Sequence, residues 1–336
     1  MFEDSVAARR IIRQLAVDEA DTPMMDAQVQ VLTDRLIPQF WIAPTKDAGD
    51  RLGATRVGGG PDLPASMAWP MRPILPDAPQ RVEELKAHFD WIAKHIAREL
   101  PFEFLAQIDL AEAAKHPDHA QGLPAQGRLL FFWDGVVGLH DGGAEVCRVI
   151  WDTSPAVDLT RADVPKLLEE LEAAYDPSGR FKKPYVYPSR AMRLTPVLQL
   201  PNRFVAEFQA DPELRALGEH DDHEESYRQL TAMDEGQFTT DGRNARRQRF
   251  LGSPDPEQDD PRFDSVVASG YPAPRWDQEQ LVEATSLALQ WRLLLQVDLG
   301  DLSQQDLTEG TVYFLIRKDD LASRDFSRVH AIYQQT

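Results

Sequence analysis

The stretch Phe104-Leu105-Ala106-Gln107-Ile108-Asp109-Leu110 recurs, altered, as Leu293-Leu294-Leu295-Gln296-Val297-Asp298-Leu299. In both, apolar residues take alternate positions: Phe104, Ala106, Ile108 and Leu110, then Leu293, Leu295, Val297 and Leu299. The Gln and the Asp fall together on the opposite face. Period-two alternation marks a half-buried strand, so each copy is expected to be a strand with one core face and one polar face.

Each copy is followed by two further strand-like runs. After the first come Gly127-Arg128-Leu129-Leu130-Phe131-Phe132-Trp133-Asp134 and Val146-Cys147-Arg148-Val149-Ile150-Trp151. After the second come Gly310-Thr311-Val312-Tyr313-Phe314-Leu315-Ile316 and Ser327-Arg328-Val329-His330-Ala331-Ile332-Tyr333. Gln107 to Gly127 is 20 residues and Gln296 to Gly310 is 14; from those glycines to the Arg-Val pairs is 21 and 18. Shared order and spacing argue for an internal duplication, about 102–152 and 291–334. Two copies are too few for a solenoid.

Around the repeats, residues 2–41 are expected to be helical in two pieces, the second stopped by Pro38. Residues 43–79 carry loop and turn chemistry, including Gly58-Gly59-Gly60-Pro61-Asp62-Leu63-Pro64 and Trp69-Pro70. Residues 81–99 predict one amphipathic helix. Thr160 is expected to cap another, with Val164, Leu167, Leu168 and Leu171 on its buried stripe. A strand is expected near 193–200, an acidic helix over 211–235, loop over 236–275 and a helix over 277–289.

The chain has 336 residues, 42% hydrophobic and 27% charged, with a formal net charge of −19. That is a soluble globular composition, long enough for two structural units or one duplicated unit. No transmembrane run or secretory signal is visible, so a cytoplasmic protein is expected. The acidic balance disfavours nucleic acid and anionic membrane as partners; it would suit a protein that neutralises a basic partner, but negative charge that merely keeps the protein soluble is the better reading. Cys147 is the only cysteine, which excludes an intrachain disulfide and a cysteine-rich zinc site.

Several segments invite a functional reading. Gly59, Gly60 and Pro61 do not form a phosphate loop, because no Gly-Lys-Ser/Thr follows and Pro61 interrupts; a structural turn is expected. Glu219-His220-Asp221-Asp222-His223-Glu224-Glu225 has metal-ligand residue types, and His220 and His223 would share a helix face. Nothing near it supplies a fixed set of ligands, so a solvated acidic face is expected and no metal. The same holds for His116 and His119 in their polar loop. Cys147, set among Val and Ile, reads as a core residue. Arg243, Arg246, Arg247 and Arg249 form a basic run suited to anion contact, against which stands pairing with Asp234, Glu235, Asp255 and Glu257. Gln107, Asp109, Gln296 and Asp298 admit two readings. They would converge on one cleft and do acid–base work, or each pair would tie its own loops once per repeat. Catalysis is usually asymmetric, so duplication favours the second.

Five motifs, in order, resemble one known family. They are Gly59-Gly60-Pro61-Asp62-Leu63-Pro64 with Trp69-Pro70; Phe104 to Asp109 with the following Gly-led aromatic strand; Leu251-Gly252-Ser253-Pro254 with Gln258; Leu294 to Asp298; and Gly310 to Phe314 with Asp320-Leu321 and Phe326-Ser327. Over roughly residues 55–334 the chain resembles the YwqG-like family, a bacterial family of unknown function. The resemblance implies a compact α+β fold, no established activity and a setting near toxin–immunity genes. Members often carry a Trp-Gly-Asp-like stretch where this chain has Leu307-Thr308-Glu309.

The expectation is therefore an α+β protein with duplicated β-rich halves, largely antiparallel, and helices packed outside one compact body. A helical extension over 1–50 would precede the family domain at 51–336. The expected function is non-catalytic binding of a protein partner, of toxin-neutralising type, without a cofactor. The rival is a small-molecule binder or enzyme using a cleft between the repeats lined by Asp109 and Asp298.

Overall fold

The computed structural model describes residues 1–45, 51–87, 89–175, 185–232, 248–272, 275–304 and 309–335. Its centre is a ten-stranded antiparallel sheet. The strands are β1 (Ile37–Pro44), β2 (Arg56–Val57), β3 (Glu103–Asp109), β4 (Arg128–Trp133), β5 (Cys147–Asp152), β6 (Arg190–Gln199), β7 (Arg249–Phe250), β8 (Trp291–Asp298), β9 (Thr311–Arg317) and β10 (His330–Gln334). Across the sheet they run β10-β9-β8-β7-β1-β6-β2-β3-β4-β5. Exchanging β1 with β6, β2 with β7, β3 with β8, β4 with β9 and β5 with β10 leaves this order unchanged. The duplication is thus a pseudo-twofold that passes between β1 and β6.

The halves are interlocked. β1 belongs to the first half by sequence yet sits between β6 and β7 of the second, and β6 sits between β1 and β2. Each half lends its first strand to the other, which makes the chain one α+β body. The helical reading of residues 2–41 holds for Ser5–Arg13 and Asp26–Asp34 but fails at Ile37–Pro44, a strand at the centre of the sheet. Prolines are tolerated there for a geometric reason. Leu198 exchanges both backbone bonds with Phe2, on the side of β6 away from β1, so Pro38 opposite Leu198 lies in a non-hydrogen-bonded pair. Its missing N–H faces past the end of the short β7.

β3 and β8 carry the same bulge, between Phe104 and Ala106 and between Leu293 and Leu295. The extra residue re-aims the strand. Phe104 therefore does not share a face with Ala106. It packs outside with Phe102, Leu130 and Phe132, while Leu105 and Ala106 join the inner core. The carbonyls of the bulged Leu105 and Leu294 accept the N–H groups of Gly58 and Leu251. The third strands align two residues away from the Arg-Val match: Val149 pairs with Phe131 and Ala331 with Phe314, so Val149 corresponds to Ala331 rather than Val329.

The sheet curls until its ends meet in one bridge, Gly143 to Ala331. Inside, the two halves touch across the core, with Phe131 and Phe314 rings edge to face at 5.2 Å. The polar loop after β3 fills one end of this interior: His116 and His119 lie against the Phe40 ring at 6.0 and 5.5 Å. Outside, the two N-terminal helices pack on Phe208, Leu214, Leu217 and Tyr227 in a second core.

Other expectations change in detail. Residues 81–99 form two helices, Ala78–Leu85 and Asp90–Ile96. Thr160 lies in a short strand paired with Leu63, and the helix behind it starts at Lys166. The acidic helix breaks into Ala206–Ala210, Pro212–Gly218 and Glu224–Ala232. Within 236–275, Asp260 caps a helix over Pro261–Ala268. No helix among the described residues is long and apolar enough to cross a membrane.

Candidate functional site

The sheet brings the repeated Gln opposite an Arg in each half: Gln107 pairs with Arg56, Gln296 with Arg249. Each Arg opens a turn that ends six residues later in an Asp. The turns are Arg56-Val57-Gly58-Gly59-Gly60-Pro61-Asp62 and Arg249-Phe250-Leu251-Gly252-Ser253-Pro254-Asp255, a third level of the repeat whose only mark in the sequence is the shared Arg-to-Asp spacing. Both turns go through the left-handed region at the same two positions, φ +62° and +66° at Gly58 and Gly59 and +63° and +81° at Leu251 and Gly252. A glycine is required at Gly60, where a Cβ would stand 2.0 Å from the Ala162 carbonyl oxygen.

These turns fold the Asp back over the Gln. The backbone N–H of Asp62 donates to Gln107 Oε1 at 3.0 Å, and that of Asp255 to Gln296 Oε1 at 2.9 Å. The Asp carboxylates then face the Arg side chains. Arg249 Nη2 lies 3.0 Å from Asp255 Oδ2, and Arg56 Nη1 lies 3.9 Å from Asp62 Oδ1, which also accepts from Arg161. Arg249 is fully buried and donates further to Gln199. Its charge is spent inside the protein; Arg243, Arg246 and Arg247 lie outside the described residues.

Asp109 and Asp298 sit at the ends of β3 and β8 and cap the short helices that follow. Asp109 Oδ1 accepts from Ala111 N at 3.0 Å, and Asp298 Oδ1 from Asp301 N at 2.7 Å. The residue before each Arg ties the same corner: Thr55 donates to Glu112, and Gln248 to Asp301. Neither Asp109 nor Asp298 lines any of three grooves on the surface of the described residues, of about 390, 440 and 270 Å³. Trp69 donates to the Phe102 carbonyl and packs edge-on against Phe132.

His220 and His223 lie between two helices, not on one. His220 is near Asp222 at 3.7 Å, and buried His223 meets Gln28 at 3.3 Å. No group of three ligand-type residues suited to a metal occurs among the described residues. Burial pushes the Cys147 thiol up to about 12, and its Sγ faces the Val329 carbonyl at 3.2 Å. A buried cluster missed in the sequence joins Arg72, His95 and Asp134. Arg72 Nε lies 2.5 Å and His95 Nε2 3.0 Å from the carboxylate. Burial alone would raise Asp134; His95, the Val137 N–H and Arg72 hold it down at about 2.

One open feature among the described residues is the seam where the sheet fails to close. Beyond the Gly143–Ala331 bridge, the turn 138–142 parts from β10 and leaves a groove of about 390 Å³. It is walled by that turn, by Ile332, Tyr333 and Gln334, and by Gln258, Asp264, Val267 and Ala268. Gln334 Nε2 donates to the Asp259 carbonyl at 2.7 Å and to Asp264 at 3.2 Å. Desolvation in the groove raises the Asp264 carboxyl, with Asp259 and Asp260 adding to it. Asp264 has no cationic partner among the described residues, whereas Asp141 pairs with Arg81 at 2.5 Å. No sequence signal marks this site, because it joins segments about 190 residues apart only through the curl of the sheet.

Fold and site together define an internally duplicated α+β protein whose repeated Gln and Asp side chains tie turns and cap short helices. The family described as "Domain of unknown function (DUF1963)" matches residues 55–334, and the chain belongs to it. No curated protein matches the chain.

Proposed function

We propose that the protein is a non-catalytic binding protein of the bacterial cytoplasm that engages a basic protein partner, with toxin neutralisation as the sharper form of that reading. The observation that supports it most is the contrast in how carboxylates are used. Asp62, Asp109, Asp134 and Asp298 are tied to caps or arginines, while Asp264 faces an open groove with no cation beside it among the described residues. On a chain of net charge −19, such a surface attracts positive proteins and accelerates encounter with them.

The test is affinity capture with the full-length chain in a lysate of its source organism. A basic protein retained in stoichiometric amount and released on raising salt from roughly 0.1 M to 1 M, where screening shortens from about 10 to 3 Å, supports the reading. Absence of any stoichiometric partner removes it.

A further inference from the structure

The bridge that closes the sheet also fixes the direction of the backbone beyond it. Gly143 and Ala331 exchange both of their hydrogen bonds at 3.0 Å, so the Ala331 N–H and C=O point outward from β10. On the other side, Ile332 opposes Tyr313 and Gln334 opposes Thr311 on β9. In an antiparallel strand the polar groups alternate sides. Tyr333, two residues past Ala331, therefore turns its N–H and C=O outward as well, into the groove that opens where the turn 138–142 departs. No backbone bond fills that edge in the described structure. A sheet edge of this kind is where an extended peptide adds a strand.

The walls say what that peptide carries. Asp264 and Asp141 line the groove, and no Lys or Arg does. Asp141 is already paired with Arg81, and among the described residues Asp264 meets only the Gln334 amide. Leu139, Val267 and Ile332 supply apolar wall for the stem of a long side chain. The volume is at the low end of ligand pockets, which suits a few residues of a strand rather than a helix.

We propose that the seam groove receives an extended, lysine-bearing segment of a partner protein as an added strand on β10, in register with the Tyr333 main chain and with Asp264 as counter-charge to the lysine. This deepens the binding reading and rests on it. It places the contact at a strand edge completed by the partner, not at the repeated Arg–Gln–Asp motif.

The experiment uses the full chain, 15N-labelled, titrated with the blocked peptide Thr-Val-Lys-Val-Thr. The proposal expects saturable shifts at Tyr333, Gln334 and Gly138 to Gly142, and slowed exchange of the Tyr333 amide. It expects at least tenfold weaker binding by Asp264→Asn, by a peptide with Glu in place of Lys, and by one N-methylated at its central amides. Shifts confined to other surfaces, no binding at millimolar peptide, or equal binding by the N-methylated peptide would overturn it. Asp264→Asn keeps its spectrum dispersion as the folding control. If the captured basic protein binds Asp264→Lys as tightly as wild type, this proposal fails and the binding reading survives; if nothing is captured, the reading itself fails.

Discussion

The two copies of the polar motif are not equally satisfied, and that difference predicts a difference in stability. Gln107 makes three bonds: Oε1 accepts from Asp62 N, and Nε2 donates to the Ala54 carbonyl and Asp62 Oδ2, at 3.0, 2.9 and 2.9 Å. Gln296 makes only the first of these, to Asp255 N, and its buried Nε2 has no partner among the described residues. Gln107→Leu would strand the Asp62 N–H and the Ala54 C=O. Each stranded buried group costs about 1–3 kcal/mol, offset in part by the apolar side chain. A net loss of about 3 kcal/mol follows. Gln296→Leu strands one N–H and removes one unpartnered donor, so the two terms nearly cancel and the loss is about 0–1 kcal/mol. Urea unfolding of the two variants and wild type, compared at constant m, reads the gap of about 2–3 kcal/mol directly. Equal losses, or a larger one at Gln296, would refute the bonding assigned to the motif.

Acid should weaken the fold through His330. Burial, with Arg317 and Arg328 nearby, pushes this imidazole down to about 4, and the ring packs on Trp291 at 4.5 Å. A depressed folded value means the neutral form is favoured by folding. The stability is fully present above the unfolded value near 6.5 and is lost as pH falls through 4. Between pH 7 and 4.5 the urea midpoint should fall by an amount worth about 2 kcal/mol, and His330→Gln should flatten that slope. A slope unchanged in the variant would assign the acid sensitivity elsewhere. Cys147 should ignore a disulfide reagent at pH 8 in native buffer and react once in urea, because burial holds the thiol protonated; fast native labelling would contradict its placement.

Much of the fold was legible because the repeat writes the same solution twice. Gln107 and Gln296, each followed by a capping Asp, located β3 and β8 and favoured scaffold over catalysis, and the Asp side chains do cap their own helices. Alternation misled by one residue at the bulges, since a bulge leaves no mark in a run of apolar side chains. β1 was hidden by Pro38 and Pro44, which argue against a central strand unless the partner on the N–H side is as short as β7. The Arg-to-Asp turns were readable as a pair at identical spacing, but Gly-rich and Leu-bearing versions look unlike each other. The seam groove was not legible at all. It depends on where two sheet ends come to rest, and tertiary curl has no local signature.

The central claim is that each half completes the other by exchanging its first strand. Two fragments, residues 1–175 and 185–336, test it most directly when produced apart and mixed. In the exchange, β1 of the first fragment lies between β6 and β7 of the second, and β6 of the second between β1 and β2 of the first, so neither fragment alone holds its five strands in one continuous sheet. The account predicts that each alone lacks native near-ultraviolet signal and that mixing gives a 1:1 complex with the spectrum of the whole chain. Two fragments that fold separately as stable monomers, and do not associate, would contradict it.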